Sequence, residues 1–220
     1  MRPVACRAMI DAMGEVHDIE TGQRIRTPVL WRAVVGMNGS AESKRALRQA
    51  VAMCIPAAAV VLVDVVSSNG SPQPPAAVRK LALEELEDAS ALVAGGRAVL
   101  TQLRTGHPAE VLANEAADAD LLAVGTCRLG HRGEIIRELV ASTPCPLLIA
   151  RSDRPLPALV GVDTYGPTGA TDVAEAVAAR TGAELTALVD TRAELVVVPA
   201  GRVEDVWSRR FTSLLVVPEG

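Results

Sequence analysis

Aromatic residues are almost absent from this chain, which has two Trp, one Tyr and one Phe among 220 residues. Because 49% of the residues are still hydrophobic, small aliphatic side chains must build the core, as they do where helices pack on a parallel sheet. The length suits one large domain, or one domain with a smaller companion.

Features that would indicate other classes of protein are also missing. No apolar run approaches the roughly 20 residues that a membrane span requires. No block of Lys and Arg indicates nucleic-acid binding, and the net charge is −4. Asp11 and Glu15 interrupt the N-terminus, so it lacks the apolar stretch of a secretory leader. We therefore expect a cytoplasmic protein that binds neither a membrane nor nucleic acid.

The cysteines and histidines form no recognisable metal or catalytic motif. No two cysteines have the CxxC spacing of a zinc site, and we expect them to be reduced thiols. The chain has no G-x-S-x-G nucleophile elbow and no Walker A sequence. Ser40 is interpreted as a helix N-cap and His107 as a turn residue before Pro108. We therefore expect no metal, no catalytic residue and no enzymatic activity.

From Trp31 onward, apolar runs alternate with segments of helical periodicity. The run over 58–66 is rich in β-branched residues, as in a strand that is buried on both faces. This alternation predicts right-handed crossovers and a parallel sheet, with a ligand crevice beyond the carboxyl ends of the strands. The predicted strands cover residues 33–37, 58–66, 98–104, 119–125 and 147–150, and the helices between them begin after Ser40, at Ala76, at Pro108 and at Gly133.

Three blocks of this half resemble the universal stress protein family. They are the strand and helix over 34–54, the helix and strand over 106–125, and the helix, Pro-Cys-Pro break and strand over 133–151. The likeness covers about residues 29–151. It implies a doubly wound, five-stranded parallel sheet of order 3-2-1-4-5 and dimerisation through strand 5. In one branch of the family it also implies ATP binding.

The ATP-binding branch has an aspartate at the end of strand 1 and a loop of the form G-x2-G-x9-G-[ST]. The glycines of such a loop let backbone N–H groups reach phosphate oxygens. Here the strand ends at Asn38, the loop is several residues too short, and Glu134 replaces the hydroxyl residue. The residues that correspond to the candidate nucleotide crevice are Asn38, Gly125, Arg128, Gly130 and Gly133.

These departures argue against triphosphate binding. Arg128 stands where the second glycine is expected, and the carboxylate of Glu134 occupies the positive field at a helix start that a phosphate would use. We therefore interpret the crevice as degenerate and expect no cofactor. The preferred function is that of a non-catalytic regulatory protein of the universal stress type, which acts through protein contacts.

The loop also leaves an alternative open. Arg128, His131 and Arg132 supply cationic side chains that could hold an anion without a backbone cradle. On this alternative the chain is a stress sensor that binds an adenine nucleotide, ATP or AMP, through a rebuilt loop over residues 125–134.

Residues 158–220 repeat parts of the first half in shortened form. A helix capped by Thr171 or Asp172 is expected to follow the first strand of this second, smaller α/β half-domain. The predicted strands over 185–189 and 194–198 are too close in sequence for a parallel crossover. They either form an antiparallel hairpin or lie apart in the sheet. A copy this small buries too little surface to be stable alone, so it should pack on the first domain.

The expected organisation is an N-terminal extension over 1–28, a complete domain over 29–151 and the truncated copy over 158–220. Within the extension, residues 4–13 are compatible with a short helix and residues 16–26 with a hairpin, and the alternatives are that the segment is disordered or is an over-long gene start.

The terminal strands of the two copies, 147–150 and 214–217, are expected to be exposed sheet edges. Exposed apolar edges invite pairing with another strand. They predict a protein partner or self-association through these edges, or pairing of the two strands with each other inside one chain.

Overall fold

The computed structural model describes residues 8–10, 16–18, 24–25, 30–67, 74–93, 96–126, 132–162, 168–188, 190–207 and 212–218. Near the N-terminus, β1 (Ala8–Ile10), β2 (Val16–Asp18) and β3 (Arg24–Ile25) form a small antiparallel sheet. Pairing of β2 with β3 confirms the expected hairpin. The expected helix is wrong over β1, because these residues are extended and pair with β2.

The first half alternates strands and helices as predicted. Its strands β4, β5, β6, β7 and β8 lie parallel in the order β6-β5-β4-β7-β8, which is the doubly wound order 3-2-1-4-5. The elements are β4 (Arg32–Met37), α1 (Ala41–Met53), β5 (Ala59–Val66), α2 (Ala76–Ala91), β6 (Val99–Thr105), α3 (Pro108–Glu115), β7 (Leu121–Gly125), α4 (Arg132–Ser142) and β8 (Leu147–Ala150).

The second half adds four strands to the same sheet. Its helix α5 begins earlier than expected, at Thr168, so Thr171 and Asp172 lie inside the helix and neither is its N-cap. The extra turn buries Ala170 in the core, which stabilises the earlier start. The elements are β9 (Leu159–Val162), α5 (Thr168–Thr181), β10 (Glu184–Ala187), β11 (Leu195–Pro199), α6 (Val203–Val206) and β12 (Ser213–Val217).

Strands β10 and β11 lie on opposite sides of β9, and both are parallel to it. The alternative that these strands form an antiparallel hairpin is therefore wrong, and the alternative that they lie apart in the sheet is confirmed. The short crossover between them passes over Gly161, where an added Cβ would lie 3.2 Å from the Cβ of Ala193. Because both residues are small, the chain can cross close to the sheet without a helix.

The two halves join where β8 pairs with β12 in antiparallel register, with Leu148 opposite Leu215. The described chain therefore contains one nine-stranded sheet, in the order β10-β9-β11-β12-β8-β7-β4-β5-β6. The two strands that were expected to be open edges, β8 and β12, pair with each other inside the chain. Each lies between two neighbouring strands, so neither has a free edge for self-association. The outer strands of this sheet are β6 and β10.

Both faces of the sheet carry a core that runs through the two halves. Helices α1, α2 and α5 cover one face, and α3, α4 and α6 cover the other. The first core includes Leu47 of α1 and Val177 of α5, and the second includes Leu139 of α4 and Val206 of α6. The second half thus packs on the first, as its small size requires.

A buried polar cluster lies at the junction of the halves. The amide nitrogen Nε2 of Gln49 in α1 donates to the backbone oxygens of Ser152 and Arg154, both at 2.8 Å. The hydroxyl of Ser213 in β12 donates to Oε1 of Gln49 at 2.9 Å and accepts from the amides of Arg151 and Ser152, both at 3.0 Å. These bonds fix the connecting segment to both halves.

Among the helices that the structure describes, none combines the length and the hydropathy of a membrane span.

Candidate functional site

The strand order reverses between β4 and β7, and a cavity of about 150 Å³ opens at their carboxyl ends. Its walls are mainly apolar side chains from the sheet, α3 and α4, while Asn38 and Ser43 supply polar groups. The apolar walls were missed by the sequence reasoning, although those from α3 and α4 follow the helical period and those from β5 follow the alternation of a strand. They include Val63, Val65, Leu112, Ile135, Ile136 and Leu139.

Asn38 lines this cavity, but its side-chain oxygen is engaged within its own loop. Oδ1 accepts from the backbone amide of Ser40 at 3.2 Å and from the Ser40 hydroxyl at 2.6 Å. Ser40 in turn caps α1 by accepting from the amide of Ser43 at 3.2 Å, as the sequence predicted. Asn38 therefore helps to shape the start of α1, and its oxygen has little capacity left for a ligand.

Gly125 also lines the cavity, and its lack of a side chain is needed for helix packing. A Cβ added there would lie 2.2 Å from the backbone carbon and oxygen of Glu42, in the first turn of α1. No real Cβ approaches backbone atoms so closely, so α1 can reach β7 only because residue 125 is glycine. The packing of α1 thus explains why residue 125 is glycine, independently of phosphate binding.

Gly133 lies in the first turn of α4, where an added Cβ would have no atom within 4 Å. The described surroundings therefore place no steric demand for glycine at this position. Glu134 follows it in the same turn, as predicted. The other two candidate crevice residues, Arg128 and Gly130, lie outside the described residues, as does His131.

His107 occupies the N-cap position of α3, but its side chain makes no capping hydrogen bond. Its Nδ1 lies 3.4 Å from Oε2 of Glu138 in α4, so the side chain links the two helices that wall the cavity. Both side chains are about half exposed, at 47% and 50%. Such exposed contacts contribute little to stability.

Asp64 is a buried carboxylate that the sequence reasoning missed, although it interrupts the apolar run of β5. It is only 6% exposed. Burial, together with the negative charge of Glu85, raises the pKa of Asp64 to about 6, against the opposing hydrogen bond from the Val65 amide. Glu85 itself lies against Gly39 in the loop that follows β4, and the missing Cβ of this glycine leaves room for the carboxylate.

Replacing Asp64 with asparagine is expected to stabilise the fold at neutral pH. Because the folded-state pKa is raised from 3.8 to about 6, the folded protein holds the proton more tightly, and stability falls as pH rises through this window. Asp64→Asn should therefore increase the free energy of unfolding by about 1–2 kcal/mol at pH 7.5, and the gain should vanish near pH 4.

Urea unfolding of both proteins between pH 4 and pH 7.5 measures this difference, since only the comparison isolates Asp64 from other carboxylates. The exposed Asp88→Asn variant is the control and should show no such pH dependence. A gain that is equal at both ends of the range would contradict the prediction.

The described residues contain no group of three His, Cys, Asp or Glu side chains that could hold a metal ion. Cys54 and Cys145 are free and buried. Burial raises the pKa of the Cys54 thiol to about 12 and also raises that of Cys145. Both therefore remain protonated and unreactive, because the thiolate is the nucleophile and the metal ligand.

The fold and the cavity define a doubly wound α/β protein with a ligand crevice at its strand-order reversal. The family model described as "Universal stress protein family" matches residues 32–151. The chain belongs to the universal stress protein family. None of the curated proteins that were searched matches it.

Several solved structures are similar to the chain. A universal stress protein from Archaeoglobus fulgidus DSM 4304 has a TM-score of 0.67 at 12% identity, over 89% of this chain and 100% of its own. A universal stress protein in complex with cAMP has a TM-score of 0.47 at 22% identity, over 56% and 97%. A family protein from Arabidopsis thaliana with AMP bound has a TM-score of 0.37 at 21% identity, over 53% and 88%. The likeness of fold to the Archaeoglobus protein extends beyond residue 151.

Proposed function

We propose that this member of the family is a non-catalytic regulatory protein that acts through contacts with other proteins, and that its nucleotide crevice is degenerate. The observation that carries the proposal is that two crevice residues have structural roles. The oxygen of Asn38 serves the start of α1, and Gly125 serves the packing of α1 on β7. The oxygen of Asn38 is thus already engaged, and the glycine at position 125 is explained without a nucleotide.

The charge at the crevice supports the same function. Glu134 lies in the first turn of α4, and a carboxylate there is stabilised by the helix dipole that would otherwise attract a phosphate. The cavity walls among the described residues are mainly apolar, with no lysine or arginine. A triphosphate would therefore meet no lysine or arginine side chain among the described residues that line the cavity.

Calorimetric titration of the full chain with ATP and with AMP, each with Mg²⁺, tests the proposal. We expect dissociation constants weaker than about 1 mM for both nucleotides. Glu134→Ser should strengthen binding by removing the competing charge, whereas Asp88→Ser on α2 should not. Micromolar binding by the unaltered chain would contradict the proposal and favour the alternative, an adenine-nucleotide sensor that uses the loop over 125–134.

We also propose that residues 158–220 are a truncated second copy of the domain over 29–151. The order β10-β9-β11-β12 matches β5-β4-β7-β8 strand for strand, with parallel pairing inside each set. The second set lacks a counterpart of β6, so β10 is an outer strand. The extension over 1–28 stands apart from this repeat.

A further inference from the structure

Among the strands that the structure describes, β6 pairs only with β5, so the β6 end of the nine-stranded sheet is an open edge. The oxygen of Ala98 accepts from Val60, and the amide of Gly106 donates to Val66. Even-numbered residues thus direct their backbone groups to β5. By alternation, those of Val99, Thr101, Leu103 and Thr105 point outward. The opposite edge, β10, has only four residues, whereas β6 has seven.

Helix α2 packs on both β5 and β6. The buried face of α2 includes Leu86. Glu85 lies against Gly39, which follows β4, and the flank of α2 that carries Glu85 therefore faces the middle of the sheet. With 3.6 residues per turn, the opposite flank points outward past β6. It carries three exposed residues spaced four apart, Arg79, Leu83 and Glu87.

This flank is complementary to itself. Arg79 and Glu87 are equally distant in sequence from Leu83, whose side chain is 45% exposed. Among the described residues, neither charge has an ion-pair partner, whereas Lys80 and Glu84 pair with each other on the solvent side. If two α2 helices pack antiparallel about Leu83, Arg79 meets the partner's Glu87 at both ends of the contact.

The dimer needs one two-fold axis that passes through the middle of β6 and the middle of α2. Gln102 is the middle residue of β6, and Leu83 lies at the middle of α2. Antiparallel pairing centred on Gln102 sets Thr101 opposite the partner's Leu103, which joins the outward backbone groups in hydrogen-bonded pairs. With strands about 4.8 Å apart, helices that lie over β5 and β6 in each copy come to about 10 Å, a normal packing distance.

We propose that a second copy of this chain docks on this surface, with β6 paired antiparallel to the partner's β6 and Arg79 paired to the partner's Glu87. The occupant is a second copy because the charge pattern of the flank, Arg79 and Glu87 on either side of Leu83, complements its own reversed sequence. The interface is isologous, closes after two subunits and joins the two sheets into one. It goes beyond the proposed function and does not depend on the state of the nucleotide crevice.

Sedimentation equilibrium of the full chain tests the dimer. We expect a mass of twice 23.0 kDa at micromolar concentrations. Arg79→Glu and Glu87→Arg should each weaken dimerisation at least about tenfold, because each puts like charges together at two places. The double variant Arg79→Glu/Glu87→Arg restores both pairs in reversed order and should recover the affinity. Asp88→Arg makes the same charge change as Glu87→Arg on another flank of α2, and it should leave the dimer affinity unaltered.

Hydrogen exchange gives a second measurement that does not depend on substitutions. The outward amides of Thr101 and Leu103 should gain protection as the protein concentration rises through the dissociation constant. A chain that remains monomeric up to about 100 μM would overturn the proposal. So would a double variant that associates no better than the single variants, or a dimer in which the β6 amides exchange as fast as in the monomer.

Discussion

Gly125→Ala is expected to lower the free energy of unfolding by about 3 kcal/mol or more, one of the two largest effects of a single substitution expected in this chain. The new Cβ would lie 2.2 Å from the backbone carbon and oxygen of Glu42, and 2.7 Å from the amide nitrogen of Ser43. Backbone atoms in the first turn of a helix cannot move aside as the end of a flexible side chain can. Relief of the clash therefore requires α1 to shift away from β7.

Gly133→Ala is the matched control, since it makes the same chemical change at the other glycine of the crevice. No described atom outside the helix's own backbone lies within 4 Å of a Cβ at this position, and alanine has a higher helix propensity than glycine. We expect it to be neutral or to stabilise by about 0.5–1 kcal/mol. Urea unfolding of the three proteins measures both effects. Equal losses at the two positions would show that the close packing of α1 on β7 is not what requires glycine.

Gln49→Leu is expected to destabilise the chain by about 2–3 kcal/mol, because it removes the centre of the polar cluster between the halves. Leucine has a side chain of similar size to glutamine, but it leaves the hydroxyl of Ser213 without its acceptor. Ser213 is only 1% exposed, so water cannot replace that acceptor. It also removes the donor to the backbone oxygens of Ser152 and Arg154. A buried group that loses its partner costs more than a formed bond contributes.

A double-mutant cycle with Ser213→Ala separates this contact from general damage to the core. Because Gln49 and Ser213 share a hydrogen bond, the double variant should lose less stability than the sum of the single losses. The exposed neighbour Arg48→Ala should change stability by less than about 0.5 kcal/mol. Urea unfolding gives all four values. Strict additivity in the cycle would mean that the cluster does not couple the halves as a unit.

Most of the sheet could be predicted from sequence because its signals are local. The β-branched run of β5, the N-cap Ser40 and the proline at the start of α3 each act within a few residues of where they stand. The start of α5 was missed because it depends on burial of Ala170 against strands elsewhere in the chain. The crossover after β10 was left open because its path depends on the contact of Ala193 with Gly161.

The candidate site could be predicted in position but not in detail. The strand-order reversal follows from the topology, and Asn38 and Gly125 do lie together there. The hydrogen bond from Ser40 to Asn38 spans two residues and is a pattern that asparagine commonly makes in turns, so it could have been found. The approach of α1 to Gly125 joins residues far apart in sequence, and no local pattern reports it.

The antiparallel contact between β8 and β12 has a consequence for how this gene can vary. In a symmetric dimer of identical chains, every substitution appears on both sides of the interface at once. Here the two sides have separate codons, so a change at Ser213 in β12 leaves Leu147–Ala150 of β8 untouched. Mutation can therefore reshape one half while the other is conserved, and the two halves are free to diverge.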